Sequence, residues 1–351
     1  MMKQLKENYK KFNRTAQYFD ELDRNKYIRM DGNESIDGLP KTFVEEVLHN
    51  FDANSLATYP NPKRCAEYIA QWANVPRESI LVTNGSSVAI KMIFEIYADN
   101  GDRIVMTNPT FEMYGVYAAM YGAYPAKVNY NDDFVFPYDE FRKEIENGAK
   151  IAVIVNPDNP TGSALEQEKL LKLIETAREK GTIVIVDEAY FGYYNQTVID
   201  KILLYDNLIV LRTFSKIMGL AGIRLGFVAA NESIIKDIKQ VSSNADANVI
   251  ALKFGEELMQ RKDIWEKMVD DFKREKQYLE EKLAKNYIPY IHTESNYVLI
   301  PCDRDLKQIY QEFKGEGILV ACRFNKYIRI NIGNENVTNT FINVYKKIIK
   351  C

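Results

Sequence analysis

Four short apolar runs, each followed by a polar loop, constrain the fold of this chain more than any other feature. They cover residues 79–83, 151–155, 182–186 and 208–211 and contain no charged side chain. A run of this length and character predicts a strand that is buried on both faces. Helical patterns follow at 88–98 and from about residue 165. This alternation predicts an α/β fold with a mostly parallel sheet flanked by helices.

Polar residues follow each run, and open α/β sheets bind their ligands at the carboxyl ends of the strands. A lysine at such an end can form a Schiff base with an aldehyde once it is deprotonated, while serine, arginine and a helix start can hold a phosphate. For the Ser-Lys pair alone a surface position is the alternative, and for the aspartate a helix cap. The residues concerned are Gly85, Ser86, Ser87, Asn159, Asp187, Ser215, Lys216 and Arg224.

Three motifs together resemble the signature blocks of fold-type I aminotransferases of class II, which use pyridoxal 5′-phosphate (PLP). They are Asn-Pro-Thr-Gly at 159–162, Asp-Glu-Ala-Tyr at 187–190, and Ser-Lys at 215–216 with Arg224. With the segments 30–34 and 327–330, their order is similar to that of histidinol-phosphate aminotransferases over about residues 27–350. The resemblance implies a large PLP-binding domain at 45–245. It also implies a smaller α+β domain, formed by an N-terminal arm at 1–44 together with 246–351.

The resemblance also implies roles for the residues around the cofactor ring. Lys216 would bind PLP covalently and move the substrate proton, and Asp187 would keep the pyridine nitrogen protonated. Asn159 and Tyr190 would donate hydrogen bonds to the phenolic oxygen of the ring. Phe111 would stack on one face of the ring, opposite the small Ala189. We therefore expect Lys216, Asp187 and Tyr190 to be catalytic.

The resemblance further implies how the cofactor phosphate and the substrate are held. Tyr59, contributed by the partner subunit, would complete the phosphate site, so a homodimer with a shared active site is expected. Arg329 would bind a carboxylate or phosphate of the substrate, and a solvent-exposed arginine on an edge strand is the alternative. Arg323 is the candidate for a second substrate arginine. From the arm, Asn33 and Tyr18 would contact the substrate. The predicted phosphate ligands are Gly85, Ser86, Ser87, Ser215 and Arg224.

Three functions fit these residues. The first is an aminotransferase that moves an amino group between an amino acid or amino-phosphate and a 2-oxo acid such as 2-oxoglutarate. The second is a decarboxylase on the same scaffold, resembling threonine-phosphate decarboxylases, which needs the same cofactor residues. The third is a non-catalytic PLP- or nucleotide-binding module, which the absence of a G-x-G-x-x-G fingerprint disfavours.

Composition narrows the class of protein further. The chain has 46 basic and 49 acidic residues and a net charge of −3, which argues against nucleic-acid or membrane partners. Two histidines and four cysteines without C-x-x-C spacing make a metal site or a Ser-His-Asp triad improbable. We expect a cytoplasmic protein, because no targeting segment or bilayer-spanning run is evident and the cysteines form no disulfide framework.

Overall fold

The computed structural model describes residues 22–243 and 246–349. Numbered in chain order, the strands are β1 (Ile28–Arg29), β2 (Ile80–Thr83), β3 (Arg103–Asn108), β4 (Tyr124–Asn129), β5 (Ile151–Val155), β6 (Ile183–Asp187), β7 (Leu208–Thr213), β8 (Gly226–Ala230), β9 (Tyr297–Pro301), β10 (Ile318–Leu319), β11 (Ala321–Arg323) and β12 (Tyr327–Asn331). The helices are α1 (Lys41–His49), α2 (Lys63–Ala73), α3 (Ser86–Tyr97), α4 (Glu112–Met120), α5 (Tyr138–Glu146), α6 (Gln167–Glu179), α7 (Glu232–Lys239), α8 (Val249–Gln260), α9 (Lys262–Lys285), α10 (Leu306–Gly315) and α11 (Glu335–Ile349).

Seven strands form the central sheet, in the spatial order β2-β8-β7-β6-β5-β3-β4. Strands β3 to β7 pair in parallel, whereas β8 is antiparallel to both of its neighbours. Side chains of β6 alternate between two apolar layers: Val184 and Val186 belong to one and Ile185 to the other. Helices therefore cover both faces, and the predicted α/β class with a mostly parallel sheet is confirmed.

Several predicted boundaries need correction. The helix expected at 88–98 begins at Ser86, the one expected from 165 begins at Gln167, and Asp187 is itself the last residue of β6. The apolar run at 318–321 forms two strands that divide at Val320, because β10 pairs with β1 while β11 pairs with β12. The antiparallel β8 was not predicted. Residues 214–225 return the chain beside the same strand without an α-helix, whereas parallel neighbours are usually joined by a helical crossover.

The N-terminal segment is bound to the strands near the C-terminus. β1 lies parallel to β10, and the Ile28 and Met30 amides donate to Gly317 and Leu319 carbonyls at 2.9 Å each. The three-stranded sheet β11-β12-β9 is joined to the same segment, since the Asn331 amide donates to the Met30 carbonyl at 3.0 Å. Residues 30–34 are thereby held over the carboxyl edge of the central sheet.

A buried ion pair fixes the ends of β6 and β7. Arg212 donates from Nε to Glu188 Oε2 at 2.9 Å, and both side chains are at most 5% exposed. The guanidinium lies 3.5 Å from the Phe191 ring centroid and 5.0 Å from that of Trp72. A buried pair with this many partners holds one geometry, so the residues on either side of it are placed reproducibly. Among the described residues, no helix has the length and apolarity to cross a bilayer.

Candidate active site

The carboxyl ends of β5, β6 and β7 and the start of α3 surround a cleft of about 520 Å³ that opens to solvent. The predicted cofactor-binding residues that line it are Ser86, Ser87, Phe111, Asn159, Asp187, Tyr190, Ser215, Lys216 and Arg224. Ala189 lines it as well. Parallel strands place their carboxyl ends at one edge of the sheet, which is why residues more than 100 positions apart meet here.

Lys216 supplies the amine of the cleft. Its Nζ lies 5.6 Å from the centroid of the Tyr190 ring. Burial lowers the pKa of Lys216 to about 8, and the positive charge of Arg329 acts in the same direction. A substantial fraction of this amine is therefore neutral near pH 7 to 8, the state in which a lysine is a nucleophile and a proton acceptor.

Asp187 is the buried acid of the cleft. Its carboxylate accepts hydrogen bonds from the Tyr114 hydroxyl at 2.8 Å and from the Ala189 amide at 3.0 Å. Burial raises the pKa of Asp187 to about 6, and the Tyr114 hydrogen bond opposes that rise. A buried carboxylate that hydrogen bonds keep ionised is suited to pair with a protonated ring nitrogen.

Sequence reasoning missed Tyr114. It stands one helical turn after Phe111, and the two ring centroids are 6.3 Å apart. Two residues that are three positions apart at a helix start lie on one face of the helix. This spacing could have indicated that Tyr114 lies near the cofactor site beside Phe111. The contact with Asp187, 73 residues further along the chain, is visible only in the folded protein.

An anion cradle lies at the other end of the cleft. Gly85 has φ of +77° and precedes α3, whose first turn no side chain caps. A Cβ at Gly85 would stand 2.7 Å from Arg224 Nη2, so the close approach of the arginine requires glycine. Arg224 Nη1 donates to Ser215 Oγ at 3.2 Å. Uncapped amides, three serine hydroxyls and a guanidinium together fit a phosphate group.

Arg329 is a buried cation that does not itself line the cleft but contacts Asn159, which does. It is 3% exposed on the middle strand of its sheet, so the alternative of a solvent-exposed arginine on an edge strand is wrong. Its Nη1 donates to Asn159 Oδ1 at 3.1 Å and its Nη2 to the Asp31 carbonyl at 2.6 Å. Within the described residues no carboxylate forms an ion pair with it, and its Nε has no partner. Burial lowers the pKa of Arg329 to about 10.

The remaining predicted residues are placed differently from one another. Asn33, with φ of +58°, donates to the hydroxyl of Tyr190, a cleft residue, at 2.7 Å, but does not itself line the cleft. Arg323 donates to the Cys322 carbonyl at 2.8 Å, and its charge helps lower the pKa of Arg329. Tyr59 is 91% exposed and does not line the cleft. Tyr18 lies outside the described residues.

Comparison with known proteins identifies the family. Residues 22–344 match the sequence model of aminotransferase class I and II. The chain belongs to this family. It is therefore a PLP-dependent aminotransferase, as the motifs predicted, and the non-catalytic module is set aside. Such an enzyme takes an amino donor and a 2-oxo acid.

Relatives of this aminotransferase cover nearly its whole length. A histidinol-phosphate aminotransferase of Thermoanaerobacter sp. (strain X514) is 33% identical over 337 residues, which are 92% of this chain and 93% of the relative. One of Pyrococcus furiosus is 30% identical, covering 94% of each chain. The histidinol-phosphate aminotransferase of Sinorhizobium meliloti, solved with pyridoxal-5′-phosphate, has a TM-score of 0.85 at 19% identity and covers 97% and 98% of the two chains. An L-threonine-O-3-phosphate decarboxylase of Porphyromonas gingivalis shares the fold, with a TM-score of 0.78 at 19% identity over 92% and 100% of the two chains.

The cleft fits the cofactor of this family. An amine with a lowered pKa, a buried carboxylate and an anion cradle lie around one space, as PLP requires of a protein. Bound PLP supplies an electron sink for negative charge at the substrate Cα. The individual roles of Lys216, Asp187 and the residues around them stay predictions.

The role of Lys216 is tested by Lys216→Ala. We expect an unchanged far-UV circular dichroism spectrum, because no described hydrogen bond of the fold depends on this side chain. We also expect loss of the covalent link to PLP, read by borohydride reduction followed by mass spectrometry of the peptide that contains position 216. Lys253→Ala, on α8, is the control and should keep the link. A borohydride-stable adduct in Lys216→Ala would contradict the assignment.

The role of Tyr114 is tested by Tyr114→Phe, which keeps the ring and removes the hydrogen bond to Asp187. A donated hydrogen bond favours the charged carboxylate, so its loss raises the pKa of Asp187. We expect the acidic limb of the kcat profile to move to higher pH by about one unit, since such a bond is worth about 1.5 kcal/mol. Tyr97→Phe removes a similar bond to Asp237 at 2.9 Å outside the cleft and should leave the limb in place. Equal profiles for both variants would refute the coupling.

Proposed function

We propose that this aminotransferase transfers the amino group of histidinol phosphate to a 2-oxo acid such as 2-oxoglutarate. The observation that carries the proposal is Arg329, a buried cation at the cleft with no carboxylate partner among the described residues. An uncompensated buried charge is costly, so a protein retains one where a ligand brings the opposite charge. The relatives described above are histidinol-phosphate aminotransferases, and the phosphate of histidinol phosphate would supply this opposite charge.

The charges near Arg329 support a phosphorylated substrate. Arg323 lowers the pKa of Arg329 and Arg329 lowers the pKa of Lys216, so three cationic groups act on one region. A phosphate monoester carries close to two negative charges and three acceptor oxygens, which suits two guanidinium groups. Its amine would then face Lys216. In the second half-reaction the carboxylate of the 2-oxo acid would pair with the same Arg329.

In this proposal, five residues surround the cofactor ring and the reacting atoms, and six more hold the substrate and the cofactor phosphate. Lys216 holds the cofactor and moves the proton at the substrate Cα, and Asp187 holds the charge of the ring nitrogen. Asn159 and Tyr190 donate to the phenolic oxygen, and the contacts of both with the arm support this orientation. Phe111 covers one face of the ring. Asn33 orients Tyr190 and contacts the substrate, while the Gly85 turn, Ser86, Ser87, Ser215 and Arg224 hold the cofactor phosphate.

We also propose a cytoplasmic homodimer with the domains 45–245 and 1–44 plus 246–351. The seven-stranded sheet spans residues 80–230, and the two smaller sheets use residues 28–29 and 297–331, which supports the division. Tyr59 and Leu56 are 91% and 62% exposed on one segment, which supports a partner surface there. Cys65, Cys302 and Cys322 are free, which suits a reducing compartment.

The substrate is tested by following the absorption of the bound cofactor during single turnovers. Histidinol phosphate should convert PLP to its amine form at far lower concentration than histidinol. Arg329→Gln should raise the KM for histidinol phosphate by a factor equivalent to about 2–5 kcal/mol and change the KM for histidinol much less. Both substrates lose the effect of the Arg329 contacts with Asn159 and Asp31, but only histidinol phosphate also loses the partner of its phosphate. Arg304→Gln, an exposed arginine paired with Glu312, is the control. Equal use of both compounds would refute phosphate recognition, and CO2 released from phosphothreonine without a 2-oxo acid would identify a decarboxylase.

The shared site is tested by mixing two variants, Lys216→Ala and Tyr59→Ala, at limiting PLP. If Tyr59 acts across the interface, a mixed dimer contains one intact site. Random reassortment should then recover about a quarter of the wild-type activity, since about half of the dimers are mixed and half of their sites are intact. If Tyr59 acts within its own chain, or if the protein is monomeric, mixing recovers nothing beyond the average of the two variants.

A further inference from the structure

A second buried carboxylate, Asp158, lies just outside the cleft. It is fully buried and forms no ion pair with any described cation. Three hydroxyls donate to it instead: Thr107 at 2.7 Å, Thr110 at 2.7 Å and Tyr130 at 2.8 Å. Burial raises the pKa of Asp158 to about 7, and the three hydrogen bonds oppose that rise. Three short bonds to one carboxyl group define its position closely.

These hydroxyls come from two stretches of the chain at the sheet edge, the end of β3 with the loop after it and the residue after β4. Thr107 is in β3, Tyr130 directly follows β4, and Thr110 directly precedes Phe111 at the start of α4. Asp158 itself is in the loop after β5, immediately before Asn159. One carboxyl group therefore links the segment that ends in Phe111 to the segment that carries Asn159.

The backbone of Asp158 is held as firmly as its side chain. Its carbonyl accepts from the Tyr297 hydroxyl at 3.0 Å and from the Gly162 amide at 2.8 Å, and its amide donates to the Ser163 carbonyl at 2.7 Å. Gly162 has φ of +74°, and a Cβ there would collide with Thr293. The loop cannot shift without breaking these contacts. The loop that carries Asp158 and Asn159 is therefore a fixed point, and the Thr110 hydroxyl ties the segment that ends in Phe111 to it.

We propose that Asp158 is a positioning residue that fixes the distance between Phe111 and Asn159, and so sets the plane and tilt of the cofactor ring between them. The inference rests on the proposed roles of Phe111 and Asn159. Phe111 meets a face of the ring and Asn159 its phenolic oxygen, so their separation decides how the ring is oriented toward the substrate. Thr110 is the link that transmits the position of Asp158 to Phe111.

Two matched substitutions separate positioning from general stabilisation. Thr110→Val and Thr107→Val each remove one hydroxyl that donates to Asp158 at 2.7 Å, with little change of shape. Only Thr110 adjoins Phe111, whereas Thr107 lies in β3. Thr110→Ser restores the hydroxyl and serves as the rescue variant. Phe111→Ala tests the premise that Phe111 contacts the ring.

The holoenzymes of these variants are compared by the visible circular dichroism of bound PLP, the Kd of PLP, kcat, KM and Tm. Thr110→Val should alter the dichroism band and lower kcat about tenfold with little change in KM, because sub-ångström misplacement of a reacting group is costly. Thr107→Val should lower Tm to a similar extent but keep the band and keep kcat within about twofold. Thr110→Ser should restore the wild-type band and kcat.

The outcomes against the inference are distinct. If Thr110→Val and Thr107→Val shift the band and kcat alike, or if both change Tm alone, Asp158 has only a structural role. If Phe111→Ala changes the band and the Kd of PLP while Thr110→Val changes neither, the inference fails and the proposed role of Phe111 stands. If Phe111→Ala changes neither, the inference falls with its premise.

Discussion

Removal of charged groups from water at one edge of the central sheet is the constraint on which this structure depends. Burial raises the pKa of Asp187 to about 6, lowers that of Lys216 to about 8 and lowers that of Arg329 to about 10. The three shifts share burial as their largest cause, since a poorly solvated site disfavours every ionised form. In the proposed roles, the ring nitrogen would supply a positive charge for Asp187, the substrate a negative charge for Arg329, and the cofactor aldehyde a covalent partner for Lys216. The chemistry of the site thus follows from where the fold excludes water.

The fold meets this constraint by holding the strand ends rigidly. β6 and β7 deliver Asp187 and the loop of Lys216 side by side, and the buried pair of Glu188 and Arg212 lies directly beside them. The Arg212 guanidinium also packs against the Phe191 ring and an indole ring. A site assembled on strand ends keeps its geometry better than one assembled on free loops. The cleft is therefore precise although most of its residues lie just beyond regular strands.

Much of this architecture could be predicted from the sequence, because short apolar runs fix the strands and ligands bind where parallel strands end. The positions of Asp187 and Lys216 follow from that rule alone. The contact of Tyr114 with Asp187 and the links around Asp158 could not be predicted, since they join segments 28 to 73 residues apart through side-chain geometry. The antiparallel β8 and the division at Val320 depend on neighbouring strands in space. The role of Tyr59 at a partner subunit stays a prediction, because that contact would join two chains, and Tyr18 lies outside the described residues.

The pairing of the N-terminal segment with the C-terminal strands has a consequence for motion. The Asn33 carbonyl accepts a hydrogen bond from the Asn296 side chain, and the Glu34 carbonyl accepts one from the Asn331 side chain. Residues 33 and 34 are therefore bound to the three-stranded sheet that carries Arg329. The bonds from Asn33 to Tyr190 and from Arg329 to Asn159 cross to the central sheet together. Separation of the two parts breaks both at once. The orientation of Tyr190 and the contact of Arg329 with Asn159 are therefore gained and lost cooperatively.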